Sequence, residues 1–343
     1  MTLVRSRAPL RLGLAGGGTD VSPFCDQHGG YVLNATIDRY AYTCLRTLGK
    51  HSSAKFTASD QKTSEHFMPS DDLQVEGELH LHRAVYCRMM DEFNGGKKLP
   101  VDMSTYCDAP PGSGLGSSST LVVSMVKAFV ELMNLPLDDY DIARLAFQIE
   151  REDCGLKGGR QDQYSATFGG INFMEFSAED KTIVNPLRIK NWIVCELEAS
   201  LILYFTGVSR ESAKIIADQS QNISGGVKSS LEAMHAIKRE ALIMKESLLK
   251  GDFDEFVKSM TRGWTAKKQS AKTVSNSEID KVYDAAIGAG ALAGKVSGAG
   301  GGGFMLIFAP NEKRMDVVRA LDKFDGQVSN CHFTQQGCQA WRP

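Results

Sequence analysis

Residues 110–119 read Pro110-Pro111-Gly112-Ser113-Gly114-Leu115-Gly116-Ser117-Ser118-Ser119. Glycine lets the backbone turn through positive φ and approach a ligand closely. An apolar helix is predicted to follow from about residue 118 to residue 133, and its first amide groups lack helical partners at the positive end of the dipole. Such a combination is suited to phosphate. We therefore predict that Pro111 to Ser119 hold a triphosphate, with a serine hydroxyl available to Mg²⁺.

This loop differs from two common nucleotide-binding patterns. No Gly-Lys-Ser or Gly-Lys-Thr triplet occurs in the chain, which excludes a P-loop. The glycines at 112, 114 and 116 alternate, and none occupies the last place of G-x-G-x-x-G. The competing interpretation is a plain glycine-rich turn followed by serine N-caps, with no ligand.

Two further glycine-rich segments lie far from this loop in the sequence. Residues 8–20 read APLRLGLAGGGTD, and residues 295–304 read KVSGAGGGGF. Together and in this order, the three segments resemble the three motifs of the GHMP kinases, the family of galactokinase, homoserine kinase, mevalonate kinase and phosphomevalonate kinase. The resemblance covers nearly the whole chain. It implies ATP as phosphoryl donor, Mg²⁺ as cofactor and a small molecule as acceptor.

The order of predicted elements indicates an α+β protein of two layered domains, 1–190 and 191–343. Glycine punctuation between apolar runs favours a β-rich opening, and the later elements lack the regular rhythm of a parallel sheet. The apolar runs are at 32–35 and 40–45, the further strands at 101–106 and 304–308, and the helices at 81–94, 138–153 and 226–250. The resemblance implies a ribosomal S5-like first domain, a ferredoxin-like second domain and an active site between them.

Composition restricts the class of protein and its partners. The 343 residues are 42% hydrophobic and 23% charged, which is ordinary for a soluble globular protein. No apolar run is long enough for a bilayer and the N-terminus does not resemble a signal peptide, so we expect a cytoplasmic protein without a membrane partner. A net charge of −2 argues against nucleic acid as a partner. Monomer and homodimer both stay open.

Scattered cysteines and two histidines give no metal pattern. The eight cysteines contain no C-x-x-C pair, which favours reduced thiols over disulfides or zinc ligands. His80 and His82 have no nearby cluster of Cys or His, so we interpret them as part of an exposed helix or strand.

The resemblance assigns the phosphoryl-transfer chemistry to four residues. Ser118 matches the family's Mg²⁺-ligating serine, and Glu150 is the best match to the glutamate that is the second ligand. Asp162, within GGRQDQY at 158–164, matches the catalytic aspartate, which takes the proton of the acceptor hydroxyl or orients that hydroxyl. Arg11 matches the basic residue of the first motif, expected to pair with Asp162 and to offset charge on the transferring phosphoryl group.

The resemblance also indicates where the acceptor binds. Asp20 lies where galactokinase-like members place an acid that accepts hydrogen bonds from sugar hydroxyls, which favours a polyol acceptor. The three glycines before Thr19 depart from the Gly-Glu-His of galactokinase, which argues against galactose. The predicted acceptor contacts are Gly17, Gly18, Thr19, Asp20, Gly300 and Gly301.

The form Ala-Gly-Gly-x-Thr-Asp is typical of two subfamilies, the fucokinases and the D-glycero-D-manno-heptose 7-phosphate kinases. Fucokinase domains are often fused to a pyrophosphorylase, whereas the length and the segments 159–164 and 204–210 look more like the heptose kinases. The resemblance implies phosphorylation of the anomeric hydroxyl, giving the 1,7-bisphosphate for nucleotide-activated heptose synthesis. The alternatives are a fucokinase-like enzyme acting on an unphosphorylated sugar, or a catalytically silent sugar or ATP sensor.

An acceptor that already carries phosphate requires cations away from the ATP site. Lys157 and Arg160 are the favoured candidates, and Arg7 and Arg210 are further ones.

Overall fold

The computed structural model describes residues 1–207 and 212–343; Arg210 lies outside them. The strands in these ranges are β1 (Leu3–Ala15), β2 (Gly30–Thr47), β3 (Ala54–Ala58), β4 (Thr63–Phe67), β5 (Val101–Cys107), β6 (Ile171–Phe176), β7 (Thr182–Pro186), β8 (Leu201–Phe205), β9 (Ala293–Val296), β10 (Phe304–Phe308), β11 (Gln327–Asn330) and β12 (Gln339–Trp341).

All four predicted helices are present, and their boundaries lie within two residues of the predicted ones when a π-helical turn that continues one of them is included. The helices are α1 (Phe24–His28), α2 (His80–Phe93), α3 (Ser117–Met133), α4 (Asp139–Gln148), α5 (Gln161–Phe168), α6 (Asn191–Ser200), α7 (Ser212–Ser224), α8 (Lys228–Lys250), α9 (Phe253–Ser270), α10 (Ser277–Gly288) and α11 (Arg314–Leu321). A π-helical turn, Ile149–Asp153, continues α4, and short 3₁₀ turns lie at Lys272–Val274 and Asn311–Lys313.

The first sheet is mixed, in the order β12-β1-β2-β5-β3-β4, with β6 beside β2 and β7 beside β6. Only β3 and β5 are parallel among the described pairs of this sheet. The long strand β2 pairs with β6 along its first half and with β5 along its second. The two apolar runs at 32–35 and 40–45 therefore belong to one strand. Its two halves form their backbone hydrogen bonds with two different neighbouring strands.

The second sheet is antiparallel, in the order β11-β8-β10-β9. Helices α7 to α10 connect β8 to β9, and α11 connects β10 to β11. This β-α-β-β-α-β connectivity, with the fourth strand beside the first, is ferredoxin-like. The expected α+β class and the ferredoxin-like second part are confirmed.

The C-terminal strand departs from the predicted division of the chain. Strands up to β7 belong to the first sheet and β8 to β11 to the second, but β12 pairs with β1 through Arg5 and Trp341. The segment assigned to a domain 191–343 thus returns to the first sheet at its end. A boundary near residue 190 otherwise stays a prediction.

Helix α3 anchors the glycine loop that precedes it. Its side chains are buried almost without interruption from Ser119 to Val130, and it packs against β1, β2, α4 and α5. A helix that is apolar all round is stable only inside a protein. Its N-terminus, and with it the loop, is consequently held in a fixed place.

His82 is buried, which corrects its interpretation as an exposed residue. It lies on α2, one and two turns before Tyr86 and Met89 in the core, and its Nε2 is 2.8 Å from Thr105 Oγ1. Burial lowers the pKa of His82 from the ordinary 6.5 to about 4, because desolvation disfavours the charged ring. The neutral imidazole is therefore the folded form.

We expect His82 to make the protein acid-labile. Between pH 6.5 and pH 4 the unfolded chain binds a proton at this residue that the folded chain does not, so the free energy of unfolding falls as pH decreases through this window, by roughly 3 kcal/mol. Urea unfolding at several pH values measures the effect. His82→Gln cannot titrate and should flatten the slope, whereas the same change at exposed His51 should not. Parallel profiles for wild type and His82→Gln would contradict this account.

No helix among the described residues is both long and apolar enough to cross a bilayer. The eight cysteines are free thiols, two of them fully buried.

Candidate active site

The three glycine-rich segments meet in space and interlock. Phe304 N donates to Ser113 O at 2.8 Å, and a Cβ at Gly303 would be 2.3 Å from the same oxygen. A Cβ at Gly114 would be 2.6 Å from Ser297 O. The second and third segments therefore touch backbone to backbone, which any side chain at these positions would prevent.

The glycine loop presents uncapped amide groups to its surroundings. Gly112, Gly114 and Gly116 all have positive φ, which explains their alternation. Gly116 precedes α3, and no described side chain caps the first turn of that helix; Ser117 Oγ instead donates to Pro110 O at 3.3 Å. The competing interpretation, a turn with serine N-caps, is therefore wrong about the caps.

Arg11 joins the first segment to the loop. Its backbone N donates to Leu115 O at 3.1 Å and its Nη1 to Gly114 O at 2.8 Å. Its Nε and Nη2 lie 2.7 and 2.5 Å from Asp162 Oδ1. The expected ion pair between Arg11 and Asp162 is present, and Asp162 also packs against Gly116. Their catalytic roles stay predictions.

Glu150 is buried on the π-helical turn Ile149–Asp153. Turns of this kind are frequent at functional sites. Glu150 Oε2 accepts a hydrogen bond from Gln163 Nε2 at 2.6 Å, and the same nitrogen donates to Ser119 Oγ at 3.1 Å. Arg151 Nη1 is 3.5 Å from Glu150 Oε1. Gln163 thus couples the carboxylate to the start of α3.

Asp20 is buried beside the start of α5. Its Oδ1 accepts from Gly18 N and Gln161 Nε2 and its Oδ2 from Gln161 N, at 2.9–3.1 Å. Burial raises the pKa of Asp20 despite these hydrogen bonds. Asp20 lines the cavity, so its carboxylate can also accept a hydrogen bond from a ligand hydroxyl. Gly159 leaves room for this carboxylate, since a Cβ there would be 1.9 Å from Asp20 Oδ2.

These groups line one cavity of about 700 Å³. The predicted site residues on its wall are Arg11, Gly18, Asp20, Pro111, Gly112, Gly114, Gly116, Ser117, Ser118, Ser119, Glu150, Lys157 and Asp162. Ser118 and Glu150 thereby face the same space. Among the described residues no group of three or more His, Cys, Asp and Glu side chains is arranged as a metal site.

Seven predicted contacts lie behind the cavity wall. Ser113 and Leu115 are buried loop positions, and Gly17 lines a smaller adjoining cavity. Thr19 Oγ1 is bonded to Gly16 O and Tyr31 O at 2.8 and 2.9 Å, so it shapes the loop. The others are Arg160, Gly300 and Gly301.

Arg160, Gly300 and Gly301 contact other parts of the protein and not the cavity. Arg160 is 3% exposed and pairs with Asp26 and Asp180 at 3.1 Å each. Two carboxylates already neutralise its charge, so the prediction that it reads a substrate phosphate is not supported. Gly301 N donates to Val274 O, which also lies against Gly300. Arg7 likewise bonds Gln339.

Several residues that line the cavity were not predicted from the sequence. Lys267 reaches the cavity from α9, and Gln161 contacts Asp20 from the start of α5. Asp60, Gln61, Glu78 and His80 also line it. Lys267 is followed by Lys268 on a helix with many charges, so nothing in the sequence separates it from a surface lysine. Gln161 and Gln163 flank the predicted catalytic residue Asp162 in the sequence. That proximity was the signal that could have predicted them as site residues.

Known proteins with similar sequences and folds identify the family of the chain. Profiles of the GHMP kinases match the chain, the N-terminal domain at residues 80–170 and the C-terminal domain at residues 244–325. A D-glycero-alpha-D-manno-heptose 7-phosphate kinase of Campylobacter jejuni is 48% identical over the full length of both chains. A crystal structure of a D-glycero-D-manno-heptose 1-phosphate kinase from Bacteroides thetaiotaomicron is 43% identical, with a TM-score of 0.84 and 99% of each chain covered.

A more distant relative is the bifunctional fucokinase/GDP-fucose pyrophosphorylase of Arabidopsis thaliana, which is 26% identical over 94% of this chain and 32% of its own length. The full-length similarity to the heptose kinase and the two matched domains indicate the same family as the three glycine-rich segments do. The chain therefore belongs to the GHMP kinases and is an ATP-dependent small-molecule kinase.

Proposed function

We propose that the protein transfers the γ-phosphoryl group of ATP to the anomeric hydroxyl of D-glycero-D-manno-heptose 7-phosphate, giving the 1,7-bisphosphate. The observation that carries the proposal is the Arg11–Asp162 pair, which lies against the glycine loop in the cavity that Asp20 also lines. The full-length similarity to a heptose 7-phosphate kinase supports this acceptor. We place the enzyme in the cytoplasm, where ATP is available, and a homodimer stays a prediction.

The loop and the start of α3 would hold the triphosphate. The amides of the first turn are free of side-chain caps in the described structure, and the positive end of the helix dipole favours an anion. Mg²⁺ usually takes one or two protein oxygens and completes its shell with phosphate and water. Ser118 and Glu150 fit this set, because both line the cavity and Gln163 orients the Glu150 carboxylate. The ion would neutralise phosphate charge during transfer.

In the proposed step the acceptor oxygen forms a bond to the γ-phosphorus. The bond from that phosphorus to the β–γ bridging oxygen breaks, and its electron pair stays on ADP. The proton of the acceptor hydroxyl passes to the Asp162 carboxylate, or that carboxylate orients the hydroxyl while water takes the proton. Arg11 holds Asp162 through Oδ1, which leaves the Oδ2 oxygen for the acceptor.

Lys157 is the predicted phosphate reader that remains on the cavity wall, exposed and next to Gly158 and Gly159. Arg151 lines the same wall, but its Nη1 lies 3.5 Å from Glu150 Oε1 and its Nη2 donates to Gly159 O. We propose that Lys157, rather than Arg160 or Arg151, binds the phosphate that the acceptor already carries. An ammonium on a flexible stem suits phosphate oxygens as a point charge.

The function is tested by ADP release with Mg-ATP and a panel of acceptors. We expect turnover with D-glycero-D-manno-heptose 7-phosphate, and little with the heptose 1-phosphate, fucose, galactose, mannose, mevalonate or homoserine. Lys157→Met should raise KM for the heptose phosphate about tenfold, because one charge-assisted contact is lost, and should leave kcat unchanged. Lys181→Met, at an exposed position away from the cavity, is the matched control.

The other outcomes separate the alternatives. Preferred turnover of fucose or another free sugar, insensitive to Lys157→Met, would replace the heptose phosphate by an unphosphorylated acceptor. ATP binding without turnover of any acceptor would favour a catalytically silent sensor.

A further inference from the structure

Lys267 is a buried cation inside the active-site cavity. It lies on α9, is 5% exposed, and lines both the large cavity and the smaller one beside Gly16 and Gly17. Asp20 and Asp162 influence its charge but, among the described contacts, neither forms an ion pair with it. A buried ammonium without a carboxylate partner is unfavourable, so its position favours an anionic ligand.

The ammonium lies between the segment that meets the nucleotide loop and the acceptor loop. Its Nζ donates to Gly298 O at 2.5 Å, and Gly298 packs against Gly114, since a Cβ there would be 2.9 Å from Gly114 Cα. On the other side, a Cβ at Gly17 would be 3.6 Å from the same Nζ. In the proposed reaction, a group that passes from the nucleotide to the acceptor would cross this junction.

Each guanidinium nitrogen of the neighbouring cation, Arg11, already has a protein acceptor. Arg11 uses Nε and Nη2 on Asp162 and Nη1 on Gly114 O. Lys267 has three N–H groups, of which Gly298 O accepts one. The ammonium can therefore reach two ligand oxygens without breaking a protein contact.

We propose that Lys267 is a catalytic residue that binds oxygens of the phosphoryl group during its transfer. The inference rests on the proposed phosphoryl transfer but not on the identity of the sugar. The charge on the phosphoryl oxygens is shared with the attacking and leaving oxygens in the transition state, and a fixed cation in a desolvated site stabilises that charge. The contact would also join α9 of the ferredoxin-like part to both loops of the first sheet.

The charge state of Lys267 supplies a signature for this role. Burial, and to a smaller extent Arg11 on β1, lower the pKa of Lys267 to about 8, while Asp20 before α1 and Asp162 on α5 oppose the shift. The other charged groups around it are Lys295 on β9 and Glu240 on α8, which pairs with Arg262. Lys267 is therefore an ammonium below about pH 8 and loses its proton above that value.

The test compares wild type with Lys267→Met and, as matched control, Lys258→Met, which changes an exposed lysine on the same helix. We expect Lys267→Met to lower kcat about 100-fold and to change the Kd of ATP less than about fivefold. The kcat/KM of wild type should fall above pH 8 with one ionisation, because this ratio reports the free enzyme. That limb should be absent in Lys267→Met and present in Lys258→Met.

A kcat within threefold of wild type, or an alkaline limb that persists in Lys267→Met, would overturn the proposal. A purely structural role would instead lower the unfolding temperature and weaken both substrates together, which thermal unfolding and the two KM values reveal. The comparison is made with whichever acceptor wild type uses, so a wrong sugar assignment and a wrong role for Lys267 give different results.

Discussion

An Asp162→Asn enzyme is expected to lose about 10³-fold in kcat while it still binds ATP. General-base catalysis together with acceptor positioning accounts for a loss of this size. Asparagine has nearly the shape of aspartate, but it cannot take the acceptor proton, and it loses the ion pair that Arg11 makes at 2.5 Å. The Arg11 guanidinium then stays buried without its carboxylate, which further disturbs the site.

Single-turnover and steady-state kinetics with the preferred acceptor measure this effect. ATP affinity should change little, because asparagine keeps the shape that packs against Gly116 and the amide groups of the loop and of the start of α3 are unchanged. Asp139→Asn, an exposed carboxylate in the first turn of α4, is the control and should keep full activity. If Asp162→Asn retained more than a tenth of wild-type kcat, Asp162 would be neither the proton acceptor nor the group that positions the hydroxyl.

A Gly114→Ala variant is expected to lose ATP binding and roughly 2–4 kcal/mol of stability. Gly114 has φ +79°, a conformation that alanine adopts only with strain, and the new Cβ would be 2.6 Å from Ser297 O. Relief of that overlap requires the second and third glycine segments to separate. Because Arg11 Nη1 bonds Gly114 O, the Arg11–Asp162 pair would move with the loop.

Thermal unfolding and ATP titration measure the two losses. Gly96→Ala is the matched control, because Gly96 has φ +75° but no atom within 4 Å of its Cβ position. It should cost only the backbone strain, about 1 kcal/mol, and leave ATP binding unchanged. Equal effects in the two variants would show that the contact with Ser297 does not hold the loops together.

Much of the fold was predictable because local patterns and tertiary structure agree. The strand Phe304–Phe308 and the helix Ser117–Met133 coincide with the predicted positions within one residue, since each begins directly after a glycine and is largely apolar. β12 was not predictable, because three residues carry no periodicity and their pairing with β1 is a non-local contact. His82 was misassigned as exposed, although its spacing from Tyr86 and Met89 already placed it on the buried face of α2.

By itself, the sequence determined the three glycine segments, their order and the residues at their centre. Those positions require backbone conformations and chemical groups that few other residue types supply, so they can be predicted from the sequence alone. Only the tertiary structure decided which side chains reach the cavity. Arg160 forms ion pairs with Asp26 and Asp180 and does not line the cavity. Lys267 does line it, from a helix more than a hundred residues further along the chain. Charge pairing and burial depend on neighbours that are distant in sequence, and folding alone brings them together.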